Sequence, residues 1–327
     1  MDNSITTQAV TFDVFRFNSE TDYLPYYKKY TLEVTSEEVV LDILNRIKWE
    51  HDGSFSYRRS CRHGICGACA IKVNGKGVLA CKERMSDLIE LFGTSMSIEP
   101  LSEKRAIKDM IVDKADFWDS HEKVKPYLVA QIDESPESEN LVSVEEHEAL
   151  LEADLCIQCG LCHYSCPSVE INDDYFGPAA FVAAYRFNAD VRDSATVDRL
   201  EQINAPAQGV WDCVKCFECQ EVCPKDINPI EKITKLHNMV FSEFVALDNV
   251  ATRHAVGFAS SIRKHGMLDE GELVRYSEGT IPMILKHGVV GLKMLKKGKV
   301  VPPWKMPKSD KLDEIQALVR SSSTAEF

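Results

Sequence analysis

The strongest constraint on this chain is a cysteine run that occurs twice. Cys156-Ile157-Gln158-Cys159-Gly160-Leu161-Cys162-His163-Tyr164-Ser165-Cys166-Pro167 and Cys213-Val214-Lys215-Cys216-Phe217-Glu218-Cys219-Gln220-Glu221-Val222-Cys223-Pro224 both read C-x2-C-x2-C-x3-C-P. This is the bacterial two-cluster ferredoxin spacing, in which three thiolates close on one iron-sulfur cluster and the fourth reaches the other. Two residues between thiolates let the backbone curl around a cube edge with its amides aimed at the sulfurs. The longer gap and the proline then redirect the chain. The pattern predicts one [4Fe-4S] cluster on Cys156, Cys159, Cys162 and Cys223, and a second on Cys166, Cys213, Cys216 and Cys219. Zinc and disulfides are the competing uses of such cysteines, and duplicated four-cysteine runs ending in Cys-Pro fit both poorly.

A third group lies upstream: Cys61, Cys66 and Cys69, spaced C-x4-C-x2-C, then Cys81. That is the plant-type [2Fe-2S] pattern, and the x4 gap with a distant fourth ligand suits it better than zinc. Gly64 and Gly67 fall inside the loop, where a Cβ would hold the backbone amides off the sulfurs. All 12 cysteines are thereby assigned, four to each centre. Metal centres rather than disulfides imply that the chain is assembled in a reducing compartment.

With 327 residues the chain can bury more than one core, and its net charge of -13 argues against nucleic acid as the main partner. The start, Met1-Asp2-Asn3-Ser4, shows neither the basic nor the apolar region of a secretory signal. No stretch approaches the ~20 apolar residues of a membrane span, so attachment to a membrane is expected only through a partner.

Along the chain, apolar residues alternate at Val10, Phe12 and Val14 and at Tyr30, Leu32 and Val34, predicting a strand hairpin. Phe15 and Phe17 carry the alternation on in the opposite phase, which marks a bulge or the strand's end. Val39, Val40, Ile43, Leu44 and Ile47 recur at helical spacing, with Thr35 or Ser36 as cap and Glu38 completing a box from Thr35. Short strands at residues 70–73, 78–80 and 96–98, around the Asn74-Gly75 turn, complete a β-grasp fold.

Residues 103–154 read as a helical bridge that includes an acidic loop from Asp133 and a helix over 144–153. Residues 177–188 form an apolar helix, and Asn228-Pro229-Ile230 opens another with Ile230, Ile233, Leu236, Met239 and Val240 on one face. The expected fold class is α+β: a β-grasp [2Fe-2S] domain over 8–105, an all-α two-cluster ferredoxin domain over 106–245 and a C-terminal helical extension over 246–327. Residues 253–265 and 285–295 read as helices interrupted by glycines, and 309–327 as a loose tail. From Lys286 to Lys308 there are seven lysines and no acidic residue, alongside Val301-Pro302-Pro303-Trp304. That stretch is either a solvated face or a contact for an acidic partner or anionic lipid.

The order of the three groups, with Ser56-Tyr57-Arg58-Arg59-Ser60-Cys61-Arg62-His63-Gly64-Ile65-Cys66-Gly67-Ala68-Cys69 and Cys223-Pro224-Lys225-Asp226-Ile227-Asn228-Pro229, closely resembles the iron-sulfur subunit of succinate dehydrogenase and fumarate reductase. The likeness covers about residues 8–240. It implies a separate flavoprotein subunit carrying FAD and the dicarboxylate site. It also implies three clusters joining that flavin to a quinone-reactive subunit, in the tricarboxylic acid cycle or in anaerobic respiration.

This sequence departs from the family pattern at three positions. Cys216 adds a fourth cysteine to a run that usually holds three and a [3Fe-4S] centre, so a second [4Fe-4S] cluster of lower potential is implied. Ile171 stands where the family has a quinone-proximal tryptophan, and Val214 where a histidine follows the run's first cysteine. These changes resemble the variant class whose membrane-side partner is a cysteine-rich protein like the heterodisulfide reductase B subunit. More weakly, residues 254–302 resemble the end of that reductase's C subunit.

The chain is thus expected to transfer electrons, with no catalytic acid, base or nucleophile of its own. His63 and His163 are assigned packing or second-sphere roles, since cysteine fills every ligand position. The expected location is the periphery of the cytoplasmic membrane, on the cytoplasmic side or, by export with a twin-arginine flavoprotein, on the periplasmic side. The competing readings are the iron-sulfur subunit of another flavin-linked dehydrogenase or of a heterodisulfide reductase, and a metal-stabilised interaction protein.

Overall fold

The structure, a computed structural model, describes residues 7–130, 140–244, 250–302 and 305–322. Much of the acidic loop, Pro303-Trp304 and the last five residues lie outside the described residues. The chain divides into two compact units, residues 1–237 and 238–327.

The first unit opens on strands β1 (Thr7–Arg16) and β2 (Tyr26–Thr35), followed by helix α1 (Val40–Arg46), β3 (Ala70–Val73), β4 (Lys76–Leu79), α2 (Met85–Phe92) and β5 (Ser95–Glu99). The sheet order is β2-β1-β5-β3-β4, with β5 parallel to β1 and the other pairs antiparallel. The β-grasp expectation is met. Val10, Phe12 and Val14 turn inward against Val40, Ile43, Leu44 and Ile47 of the α1 region, all buried.

Two local expectations fail. Register between β1 and β2 runs unbroken from Thr7↔Thr35 to Arg16↔Tyr26, so there is neither a bulge nor a strand end at Val14-Phe15. Phe15 is buried on the opposite face, edge-on to Tyr27 at 5.8 Å. The phase change therefore records a strand covered on both sides. The Thr35 amide does bond the Glu38 carboxylate at 2.8 Å, but α1 starts only at Val40, after Val39, whose amide donates to Asp42. The intervening backbone is diverted because Glu38 O accepts from the Met85 amide and Val40 N donates to Glu83 O.

The bridge is not wholly helical. It begins with a small hairpin, β6 (Ala106–Lys108) and β7 (Ile111–Val112), before α3 (Ala115–Lys123) and α4 (Val144–Asp154). Asp109 at its turn is buried and accepts from Arg16 Nε at 2.8 Å and the Ser56 amide at 2.8 Å, tying the hairpin to β1. Ser143 caps α4 by accepting from the Glu146 amide.

The cysteine runs carry α5 (Leu161–Tyr164), α6 (Pro167–Ile171), α7 (Gly177–Asn188), α8 (Thr196–Ile203), α9 (Glu218–Glu221) and α10 (Pro229–Phe244). One hydrophobic core passes from the sheet into the first run and α7, taking in Cys159, Leu161 and Tyr164 of the run, Ala179 of α7 and also Val222 of the second run. The sheet and the cysteine helices therefore share one compact unit.

In the second unit, α11 (Val250–His265), α12 (Glu270–Glu278), α13 (Thr280–Lys296) and α14 (Leu312–Ser322) follow. The expectation of a loose tail is corrected by α14, and glycines 257, 271, 288 and 291 lie within helices rather than breaking them. Gly257 is small because α12 crosses there: a Cβ would come within 2.6 Å of Tyr276 Cβ. Gly266, Gly279 and Gly298, by contrast, take positive φ and do end helices. No helix among the described residues is long and apolar enough to cross a membrane.

Candidate metal centres

Cys61, Cys66 and Cys69 lie on the loop before β3, and Cys81 follows β4. Left-handed φ at Arg62, Gly64 and Gly67 turns the peptide amides inward. The amides of His63, Ile65 and Cys66 point at Cys61 Sγ at 3.4, 3.4 and 3.3 Å, and that of Gly64 at Cys81 Sγ at 3.2 Å. These donors hold the Cys61 thiol down to about 6, chiefly through the His63 and Ile65 amides. Burial instead pushes the Cys69 thiol up to about 12; the Cys81 amide opposes this, and the Cys81 and Cys66 thiols add to it.

The two runs form cavities of shared design. One is lined by Cys156, Cys159, Cys162 and Cys223, the other by Cys166, Cys213, Cys216 and Cys219. Backbone conformation repeats as well: Gln158 and Lys215, at the same place in each run, both have φ 53°, and Gly160 (88°) matches Phe217 (69°). Phe217 thus holds a left-handed position that the first run gives to glycine. Aligning the two runs exposes that substitution, although periodicity alone does not.

Every predicted ligand is brought to its predicted neighbours. Burial raises the Cys156 thiol to about 11 and the Cys219 thiol to about 12, and raises Cys159, Cys162 and Cys166. Soft thiols gathered four to a cavity make a donor set that a thiophilic metal centre would ionise on binding. The residues fit iron-sulfur clusters.

The [2Fe-2S] loop and the first run touch. A Cβ on Gly67 would lie 2.7 Å from both Cys159 Cα and Cys159 Cβ. The glycine that sequence reasoning assigned to amide approach is required by this contact between loops. Lys82 Nζ adds a bond to Pro224 O at 3.1 Å.

His163 is buried, with Nε2 3.3 Å from the Asp116 carboxylate and its ring edge-on to Phe117 at 5.3 Å. It packs, as expected. The His63 ring is exposed, and that residue contributes its amide. Ile171 is 87% exposed, and Val214 and Phe217, which line the second cavity, are exposed too.

Lys114 was not foreseen, and no local pattern marks it. Its ammonium donates to Cys159 O at 2.6 Å and lies over the Phe117 ring. Burial lowers its pKa while Cys159 and Cys162 act to raise it. A positive charge there favours the reduced, more negative state of a cluster in the first cavity. Lys114→Met is expected to lower that centre's midpoint potential by on the order of 50 mV, the scale of one partly screened charge. A redox titration followed by electron paramagnetic resonance (EPR) checks this, and an unchanged potential contradicts it.

Comparison with known proteins agrees with this architecture. Residues 11–119 match the family model described as a 2Fe-2S iron-sulfur cluster binding domain, and residues 152–227 the 4Fe-4S dicluster domain. The succinate dehydrogenase iron-sulfur subunit of Coxiella burnetii is 38% identical over 237 residues, covering 72% of this chain and 98% of that protein. The fumarate reductase iron-sulfur subunit of Haemophilus influenzae is 35% identical over 238 residues, covering 69% and 91%. The structure of the Mycobacterium smegmatis Sdh1 complex in the apo form matches with a TM-score of 0.61 at 26% identity, covering 72% of this chain and 97% of that one. The chain belongs to the family of succinate dehydrogenase and fumarate reductase iron-sulfur subunits, the electron-transfer subunits of an oxidoreductase complex.

Proposed function

We propose that the twelve thiolates hold three clusters in series: [2Fe-2S] on Cys61, Cys66, Cys69 and Cys81, then [4Fe-4S] on Cys156, Cys159, Cys162 and Cys223, then [4Fe-4S] on Cys166, Cys213, Cys216 and Cys219. The observation that carries this reading is the exchange of fourth cysteines, Cys223 lining the first run's cavity and Cys166 the second's. Clusters held there would supply reversible one-electron chemistry, at potentials set by ligand number, hydrogen bonds to sulfur and exposure. The chain's own residues bury or half-bury every ligand cysteine except the exposed Cys66 and Cys216, aim amides at the sulfurs of Cys61 and Cys81 and hold the first two loops against each other at Gly67 and Cys159.

The electron donor or acceptor at the [2Fe-2S] end is the FAD of a separate flavoprotein subunit. The exposed side chains of Trp49 and Ile65 favour docking there, with Arg59 stacked over Trp49 at 5.1 Å. At the other end lies a cysteine-rich or membrane-anchor subunit that reacts with quinone. Exposed Val214, Phe217 and Cys216 support this, since this chain offers apolar contact and no hydrogen-bonding side chain at the positions of the family's tryptophan and histidine. The complex sits peripherally on the cytoplasmic membrane, the cytoplasmic side being favoured.

Cys216→Ser tests the third centre. The variant is expected to show an oxidised [3Fe-4S] signal and a raised potential, because one cubane iron loses its thiolate. Spectra unchanged from the unsubstituted protein would reject the ligand assignment.

A further inference from the structure

Helix α13 spans 17 residues and has no buried side chain. Leu285 is 80% exposed, and Ile281, Ile284, Val289, Val290 and Leu292 are exposed as well. Six exposed aliphatic side chains on one helix with no buried residue make a contiguous apolar surface of the kind that marks an interaction site. Among the described residues, no other element comes close to its two interior glycines. A Cβ on Gly291 would meet nothing within 4 Å, and one on Gly288 only Ile284 of the same helix.

The arrangement around the axis is specific. At 100° per residue, Ile281, Ile284, Leu285 and Leu292 fall on one arc with Gly288 and Gly291, whereas Lys286, Lys293, Lys296 and Lys297 fall together beside it. The basic bias continues through the following loop. Residues 279–309 hold seven lysines and no Asp, Glu or Arg, in a chain whose net charge is -13. Gly279, with positive φ (87°), turns the chain between α12 and α13, and Glu278 at that turn pairs with Lys286 and His287 of α13 at 3.4 and 3.2 Å, leaving Lys293, Lys296 and Lys297 farther along as the basic end.

We propose that α13 lies flat on an anionic lipid surface, with its isoleucines and leucines in the headgroup–acyl boundary and its lysines reaching the phosphates. Its residue chemistry distinguishes this occupant from a protein. Protein interfaces are depleted of lysine and enriched in arginine and aromatic residues, whereas α13 has three lysines and one histidine and no arginine, phenylalanine, tyrosine or tryptophan. Lysine is also the side chain that lays an apolar stem along a lipid boundary while its head stays in water. At about 1.5 Å per residue the helix is near 26 Å long, short of the ~30 Å hydrocarbon core, and Lys286 stands in mid-helix, so it lies on the bilayer rather than across it. The membrane contact expected only through a partner is thereby assigned in part to this chain, independently of how the cysteines are assigned.

The test is co-sedimentation of the anaerobically purified full-length chain with vesicles, either half phosphatidylglycerol and half phosphatidylcholine or phosphatidylcholine alone. The proposal predicts binding to the mixed vesicles that weakens at least tenfold without the anionic lipid and again in high salt. The triple variant Lys293→Gln, Lys296→Gln, Lys297→Gln is expected to bind about a hundredfold more weakly, at roughly fivefold per lysine. A second variant, Leu285→Ser with Leu292→Ser, is expected to lose binding while keeping its far-ultraviolet dichroism and iron content, because neither side chain is buried. Equal binding to both vesicle types, or no effect of either variant, overturns the proposal. So does failure to bind vesicles combined with loss of a co-purifying subunit in the leucine variant, which would make the face a protein interface.

Discussion

Gly67→Ala is expected to destabilise the protein by roughly 3 kcal/mol or more and to strip it of iron. Two effects combine. A side chain at φ 69° carries left-handed strain of about 1 kcal/mol or more. The added methyl would also stand 2.7 Å from the Cα and Cβ of Cys159, an overpacking that costs about 1–3 kcal/mol when the neighbour can shift. Here the neighbour is the backbone of a ligand loop, so relief moves Cys159 and spreads the thiols of the first cavity. Gly75 supplies the control. It has φ 77° and nothing within 4 Å of a built Cβ, so Gly75→Ala should cost only the strain, about 1 kcal/mol, and leave iron content unchanged. Chemical denaturation and iron analysis of both variants decide the matter. Equal losses would mean that the loop contact is unimportant and only backbone conformation counts.

Arg199→Leu is expected to cost about 3–5 kcal/mol, the range for removing one partner of a buried ion pair. The side chains of Arg199 and Asp193 are both 0% exposed and meet at 3.0 Å. The guanidinium also donates to Asn188 Oδ1 at 2.9 Å, Val124 O at 3.0 Å and Lys125 O at 3.2 Å, joining α8 to the end of α7 and the segment after α3. Burial pushes the Asp193 carboxyl up, but Arg199 and the amides of Val129 and Ala195 more than offset this and lower its pKa. Without Arg199 that carboxylate is stranded in the interior. Adding Asp193→Leu should recover part of the loss and no more, because the carbonyls of Val124 and Lys125 and the two amides remain unpaired. Calorimetry on both variants checks the order. A double variant less stable than the single would show that the pair is not the main contribution.

What the sequence made legible follows from how local each signal is. Cysteine spacing constrains a loop within a dozen residues, so the three groups could be read directly, whereas the placing of Cys223 in the first run's cavity and Cys166 in the second's followed from the two-cluster ferredoxin pattern. Alternation in β1 and β2 and the helical recurrence from Val40 to Ile47 are likewise local, each backed by one buried face. Residues whose roles arise from distant partners were not readable. Gly67 is fixed by Cys159, Lys114 by Cys159 O, and Asp109 by Arg16, each across 45 or more residues of sequence. The β6–β7 hairpin, three residues against two, is too short to show alternation. Helix α14 does carry apolar residues at Leu312, Ile315, Leu318 and Val319, but its serine- and lysine-rich flanks masked them. Glycine misled in the opposite direction in the C-terminal unit. Gly257 is in its helix because Tyr276 leaves no room for anything larger, a constraint invisible without the crossing helix.

The central claim is that this chain is a conduit of three thiolate-held clusters, and iron and acid-labile sulfide measured on the anaerobically purified protein test it most directly. The account predicts about ten of each per chain, the sum of two, four and four, with EPR signals from one binuclear and two cubane centres on reduction. A protein that is iron-free, or that carries zinc in its place, contradicts it.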